Sequence, residues 1–346
     1  MMEPAGNGSS AAPTCPEPGD AIGIVGAGAW GTALAQAAAR AGNPVALWDR
    51  DEAVLHEVRA HHRSPRAFPD LVLEPGIAAT AAFDEVLACP IVLLVVPAQS
   101  LRDVCKRRRK AAPGVAVICA KGFERDTDLL LSEVVEAEWP GTTVACLSGP
   151  SFAGEVAQGL PTALTLGVAD AALGRALASR LSSPQLRVYW TDDRTGVEIG
   201  GAVKNVLAIA AGLVIGKGLG ENARAALLSR GLAELAGLGQ AMGARTETLM
   251  GLSGLGDLML TALSPTSRNT AFGMALGQGS TAEAALAKGG VVEGYWTAAV
   301  VDRLARRHGV ATPIVHAVAE ILAGQMTVEG AIESLMSRPL RAEGLP

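Results

Sequence analysis

The chain of 346 residues holds only six lysines against 23 arginines, so a lysine placed inside an apolar segment is a signal. Lys204 lies in Gly200-Gly-Ala-Val-Lys204-Asn205-Val-Leu-Ala-Ile-Ala-Ala. This is a helical pattern, apolar or small all round apart from Lys204 and Asn205, and therefore one to be buried. A buried ammonium or amide is costly unless paired. Gly200, Gly201 and Ala208, at i−4, i−3 and i+4, predict a hollow around the ammonium. Burial lowers a lysine toward neutrality, as suits a general acid; the alternative is a structural lysine bridging two helices. Lys121 arrives straight off the apolar run Val115–Ala120, either for chemistry at a strand end or as an ordinary exposed loop lysine. In Gly251-Leu-Ser-Gly-Leu-Gly-Asp257-Leu-Met-Leu-Thr261 one carboxylate stands among apolar residues and glycines, with Asp257 and Thr261 on one helix face. Asp257 could orient or charge-balance Lys204, or cap a helix. In Ser267-Arg268-Asn269 an Arg fork precedes a helical segment, an arrangement suited to phosphate or carboxylate.

These residues need elements to carry them. Ala21–Val25 fits a buried parallel strand. It runs into Gly26-Ala-Gly28-Ala29-Trp30-Gly31 and then an alanine-rich helix to Ala41. In a strand–turn–helix context the glycines allow the tight turn, the approach of a pyrophosphate and close helix–strand packing. At the end of the second strand, Val45–Trp48, stand Asp49 and Arg50. Asp49 could accept from a ribose 2′-hydroxyl, favouring NAD, or cap the helix at 51–62; Arg50 could hold a 2′-phosphate, favouring NADP. Further strands are predicted at 91–96, 115–120, 143–147, 163–168 and 186–190, with helices at 51–62, 99–111, 126–138 and 170–181. The alternation implies a doubly wound parallel sheet over residues 21–190. Pro97, Lys121 and Ser148-Gly149-Pro-Ser151-Phe-Ala153 would then lie beyond strand ends on the edge that carries the Gly26 loop. From 191 to 338 strand runs give way to Ala/Leu/Gly-rich helical segments at 194–217, 221–243, 270–287, 295–308 and 313–336. The fold class is thus α/β, a Rossmann-like domain followed by an all-α domain, with a disordered tail over 1–20 and a loose one over 339–346.

Composition sets the bounds. Hydrophobic residues make up 49% and charged residues 18%, which excludes disorder as a whole. The mean hydropathy is +0.29, yet the charge-free run Asn205–Gly216 falls short of the roughly 20 residues of a bilayer span, so no transmembrane segment is expected. A formal charge of −5, from 29 basic and 34 acidic residues, argues against a nucleic-acid partner; the run Lys106-Arg-Arg-Arg-Lys110 reads as a solvated helix face. Five cysteines are odd in number and show no C-x-x-C spacing, and Cys119 and Cys146, inside apolar runs, read as small core residues. Residues 1–20 have no hydrophobic centre of the kind a signal peptide needs, and the expected location is cytoplasmic. Gly212-x-x-x-Gly216-Lys217-Gly218 lacks the spacing and hydroxyl of a phosphate loop. His56 and His61, at i and i+5, do not share a helix face, so no metal site is expected.

Eight ordered motifs then coincide: Gly26-Ala-Gly-Ala-Trp-Gly-Thr-Ala33, Val95-Val-Pro97, Lys121-Gly122, Ser148-Gly-Pro-Ser-Phe-Ala153, Gly201-Ala-Val-Lys-Asn205, Gly254-Leu-Gly-Asp-Leu258, Ser267-Arg-Asn269 and Val291-Val-Glu-Gly294. Together, from about residue 20 to 335, the chain closely resembles bacterial NAD(P)-dependent sn-glycerol-3-phosphate dehydrogenase. The resemblance implies reversible reduction of dihydroxyacetone phosphate to sn-glycerol 3-phosphate for phospholipid synthesis, with NAD or NADP, in a homodimer. It implies that Lys204 is the proton donor and acceptor and that Lys121 contacts substrate and cofactor. Asn205, Asp257, Thr261, Ser267, Arg268 and Asn269 would line the substrate site. Gly149 and Ser151 would lie beside both ligands. Gly26, Gly28, Ala29, Trp30, Gly31, Asp49, Arg50, Pro97, Ala153, Arg268, Val291 and Glu293 would meet the cofactor. The family pattern often has a small residue where Asp49 stands, and it has no counterpart of residues 1–20 or Lys106–Lys110. Two other readings stay open: a dehydrogenase of the same architecture for a 3-hydroxy acid or ketopantoate-type substrate, and a non-catalytic cofactor sensor.

Overall fold

The computed structural model describes Glu17 and residues 19–340. Most of the expected tail over 1–20, and residues 341–346, lie outside the described residues. Within them the backbone carbonyls of Glu17 and Asp20 accept hydrogen bonds from Arg180.

Ten strands form among the described residues: β1 Ile22–Val25, β2 Val45–Trp48, β3 Arg63–Ser64, β4 Phe68–Val72, β5 Ile77–Thr80, β6 Ile91–Leu94, β7 Val115–Ile118, β8 Thr143–Ser148, β9 Thr162–Gly167 and β10 Leu186–Thr191. Eight of them make one sheet in the order β10-β9-β8-β7-β6-β1-β2-β5, while β3 and β4 pair separately. Ile91 and Leu93 of β6 pack into one apolar cluster, and Val92 and Leu94 into another on the opposite face. The sheet is therefore covered on both sides, which explains its near-continuous apolar strands. From β5 through β8 the neighbours are parallel, so β1, β6, β7 and β8 end on one edge.

The doubly wound parallel sheet is present as expected, with one antiparallel junction. β9 runs antiparallel to β8, and β10 parallel to β9. Only the six-residue helix Ala153–Gln158 intervenes between β8 and β9, and the chain turns back rather than crossing over. The edge strand β5 and the β3–β4 hairpin, unexpected from the sequence, are also present. The helix expected over 99–111 shrinks to a single 3-10 turn at Ala98–Ser100 and a helix at Leu101–Cys105. The Lys106–Lys110 run is therefore a turn beyond a helix, not a helix face. Cys89, Cys105, Cys119 and Cys146 are free and buried, as core residues.

After β10 the helix Arg194–Gly216 begins, capped by Asp193 on the Gly196 amide. By length and composition it could span a bilayer, with a mean hydropathy of 1.8 over its window, but 89% of that window is enclosed by protein. It is the axis of the helical half, packed by Glu221–Ala241, Asp257–Leu263, Arg268–Gly277 and Glu293–Arg307. Its closest neighbour is Arg268–Gly277. A Cβ on Gly212 would lie 2.2 Å from Thr270 O, and one on Gly216 2.3 Å from Met274 O. Reciprocally, a Cβ on Gly273 would lie 2.1 Å from Ile209 O and one on Gly277 2.7 Å from Leu213 O. The Gly212-x-x-x-Gly216 spacing is thus a seam between two helix backbones. The segment expected as one helix over 270–287 divides at Gly279, and that over 313–336 divides at Gly324. Each break has a left-handed glycine followed by a threonine that caps the next helix.

Candidate functional site

The glycine loop joins β1 to the helix Ala29–Arg40. Gly26 has φ 108°, and a Cβ on Gly31 would lie 1.8 Å from Gly26 O, whereas one on Gly28 would meet nothing within 4 Å. The turn and the helix packing therefore require glycine at 26 and 31, and the face at Gly28 and Ala29 is exposed for a ligand. Two buried polar atoms in this region have no partner among the described residues: Trp30 Nε1 and Glu293 Oε2. The other Glu293 oxygen accepts from the Ala98 amide at 3.1 Å, tying the loop after Pro97 to the helical half. Burial pushes the Glu293 carboxyl up, against the pull of Arg268. Orphaned donors and acceptors around an open helix N-terminus fit a bound dinucleotide.

At the end of β2, Asp49 does not cap the next helix; Asp51 does, accepting from the Ala53 amide. Asp49 instead takes the Ala27 amide at 2.7 Å and the Asp51 amide at 2.9 Å. Arg50 is exposed.

Lys121, Lys204 and Asp257 meet between the two halves. Asp257, 1% exposed, gives Oδ2 to Lys121 Nζ at 2.5 Å and Oδ1 to Lys204 Nζ at 3.1 Å. Lys204 also donates to Thr261 Oγ1 at 2.7 Å, and Lys121 to Gly149 O at 3.1 Å. Asp257 thus charge-balances the pair, of the alternatives open from sequence. Desolvation lowers Lys204 to about 8, opposed by Asp257 and aided by Lys121 and Arg268. The hollow expected beside Lys204 is not empty. A Cβ on Gly200 would lie 3.0 Å from the Gly254 backbone, and one on Gly201 2.5 Å from Ser148 Oγ. Those glycines admit neighbouring elements, and the Gly200–Gly254 approach brings the turn Leu252–Gly256, and with it Asp257, up to Lys204.

Ser267 caps the helix Arg268–Gly277 through the Thr270 amide, leaving Arg268 exposed at its first position. Asn269 Nδ2 donates to Asn205 Oδ1 at 2.9 Å, and Asn269 Oδ1 accepts from the Gly294 amide at 3.0 Å. Ser151 Oγ donates to Gly149 O at 3.1 Å, and Ala153 begins the short helix after β8. Val291, 43% exposed, precedes Glu293 at the start of its helix. Sequence reasoning passes over Gly254 and Gly294 as site residues. A Cβ on Gly294 would lie 2.7 Å from Asn205 O, and its signal was the glycine closing Val291-Val-Glu-Gly294. His56 and His61 have rings 6.2 Å apart, and among the described residues no group of three His, Cys, Asp or Glu could hold a metal ion.

Two ammoniums on one carboxylate leave a net positive charge, beside a dinucleotide loop and an Arg at a helix N-terminus. Models of the N-terminal and C-terminal portions of NAD-dependent glycerol-3-phosphate dehydrogenase match residues 21–174 and 193–333. The chain belongs to this family. A glycerol-3-phosphate dehydrogenase (NAD(P)+) of Methylobacterium radiotolerans is 53% identical over 326 residues, covering 93% of this chain and 98% of its own length. One of Rhodospirillum rubrum is 53% identical over 329 residues, 94% of each. The crystal structure of the Coxiella burnetii glycerol-3-phosphate dehydrogenase superposes with a TM-score of 0.86 at 38% identity, covering 92% of this chain and 99% of that one. This dehydrogenase is an oxidoreductase using NAD(P). Its glycine loop makes a direct test. Gly31→Ala is expected to weaken NADH binding by about tenfold or more, because the added methyl must displace Gly26. A fluorescence titration reads it, and unchanged affinity would remove the loop from the binding site.

Proposed function

We propose that this dehydrogenase interconverts dihydroxyacetone phosphate and sn-glycerol 3-phosphate, in the cytoplasm and as a homodimer, supplying phospholipid synthesis. In this reading residues 21–190 hold the dinucleotide and 191–338 the substrate. The observation that carries the reading is the single carboxylate of Asp257 shared by Lys121 and Lys204 at 2.5 and 3.1 Å.

The glycine loop would hold a reduced nicotinamide dinucleotide, which when bound would supply the hydride for the substrate's C2 carbonyl carbon. Lys204, protonated, places its ammonium at the carbonyl oxygen and gives up a proton as negative charge develops there. Lys121 adds fixed positive charge at the same oxygen in a site largely closed to water, where such charge acts strongly. Asp257 keeps both ammoniums in place, and Thr261 orients Lys204. Arg268, Asn269 and the amides at the start of their helix hold the phosphate. Gly26, Gly28, Ala29, Trp30, Gly31, Pro97, Ala153, Val291 and Glu293 line the dinucleotide, and Gly149 and Ser151 border both ligands.

The test is oxidation of NADH and NADPH with dihydroxyacetone phosphate. Reduction requires the charged Lys204. The plot of kcat/KM against pH is therefore expected to be flat on the acid side and to fall as pH rises through about 8. Oxidation of glycerol 3-phosphate requires the neutral amine and rises through the same midpoint. Absence of turnover with this substrate, or preference for a 2-keto or 3-hydroxy acid, sinks the reading.

A further inference from the structure

From the contacts of Asp49 we infer that this chain selects NADH over NADPH, and that Asp49 is the residue that sets the choice; the inference rests on the dehydrogenase reading above.

Position comes first. Asp49 follows β2 directly and stands 21 residues beyond Gly28. In a fold of this kind, that strand end is where the adenosine ribose of a dinucleotide is read. The sequence leaves two roles for Asp49, and the geometry removes one. The helix Glu52–His61 is capped by Asp51, not by Asp49. Asp49 is engaged on both oxygens by backbone amides, Ala27 N–H at 2.7 Å and Asp51 N–H at 2.9 Å. One donor belongs to the glycine loop and the other to the approach to the next helix. The carboxylate is thereby fixed against the loop that takes the pyrophosphate. Each carboxylate oxygen has a further lone pair, so a pinned Asp49 can still accept from a ribose hydroxyl.

The same fixed charge opposes a 2′-phosphate, which brings up to two negative charges and no donor. Relief would have to come from a cation. Arg66 is already paired with Asp51 at 2.5 Å, and Arg59 with Glu52. Arg50 is exposed and makes no ion pair or side-chain hydrogen bond among the described residues. A free guanidinium on a long side chain must be ordered before it helps, whereas the repulsion from Asp49 is present at once. A held carboxylate outweighs a loose guanidinium one position along.

The experiment compares wild type, Asp49→Asn and Asp49→Gly in two measurements. Equilibrium titration gives Kd for NADH and NADPH; steady-state assays with dihydroxyacetone phosphate give the corresponding kcat/KM values. Wild type is expected to favour NADH by about tenfold or more in both. Both substitutions are expected to tighten NADPH binding in absolute terms and move the preference toward NADPH by a similar factor. Asp49→Asn removes the charge and keeps one of the two acceptors that serve the Ala27 and Asp51 amides, whereas Asp49→Gly removes both. A variant that merely damages the glycine loop would weaken both nucleotides together, and that result overturns the assignment, as does a wild type that binds NADPH as tightly as NADH. If wild type binds nucleotide without turning over the substrate, the dehydrogenase reading fails. The two Kd values then still decide the role of Asp49.

Discussion

Lys204→Ala is expected to abolish measurable reduction of dihydroxyacetone phosphate while the protein folds and binds NADH as before. Removing a general acid costs about 10²- to 10⁴-fold, and losing fixed positive charge at a developing oxyanion adds further loss. Stability should survive. A buried ammonium is expensive to desolvate, and its removal still leaves Asp257 paired with Lys121 at 2.5 Å. The alanine leaves Thr261 Oγ1 without its lysine donor, but Thr261 can still donate to Asp257 Oδ1, 3.4 Å away. The measurements are kcat, the thermal midpoint and the NADH dissociation constant of the purified variant. Turnover near that of wild type would remove Lys204 from the proton-transfer step and leave it the structural lysine that sequence alone also allowed.

Asp257→Ala is expected to damage both activity and stability. It removes the carboxylate that compensates both ammoniums, and breaking a buried ion pair by deleting one partner costs about 3–5 kcal/mol. The loss of Asp257 also removes the main influence that holds the Lys204 proton on against burial, while Lys121 continues to push it off. The fall of kcat/KM with pH should therefore shift to below 8. Asp257→Asn, which keeps the shape, should show the same displacement with a smaller loss of thermal stability. A profile still centred near 8 in Asp257→Asn would show that Asp257 braces the turn without tuning Lys204.

The candidate site residues are legible in the sequence because each breaks its local pattern. A lysine and an amide inside an apolar helix, a lysine straight off a buried strand and a lone aspartate among glycines all demand partners. The structure makes Lys121, Lys204 and Asp257 partners of one another and pairs Asn205 with Asn269. The strand edge they share follows from the alternation of strands and helices. Other features depend on distances that no local pattern encodes. Gly200 and Gly201 read as space but are filled by Gly254 and Ser148, since a missing side chain looks the same whether the gap is open or occupied. The reversal at β9 depends on where a short connection lands. β5, with one large apolar residue, is too weak to separate from a loop. Asp49 and Asp51 are both capping residues by type, and only the positions of the Ala27 and Ala53 amides distinguish them. The breaks at Gly279 and Gly324 were written in the sequence as a glycine with a threonine two or three residues later, inside segments otherwise rich in helix formers.

The seam of Gly212, Gly216, Gly273 and Gly277 lies outside the chemistry, yet it works as a gauge block. Its two helices mesh like a rack, and a slip of one residue, about 1.5 Å, would drive a side chain into a gap that admits only hydrogen. One helix carries Lys204 and the other begins with Arg268 and Asn269, so the seam fixes the span between the residues proposed above as proton donor and phosphate holder.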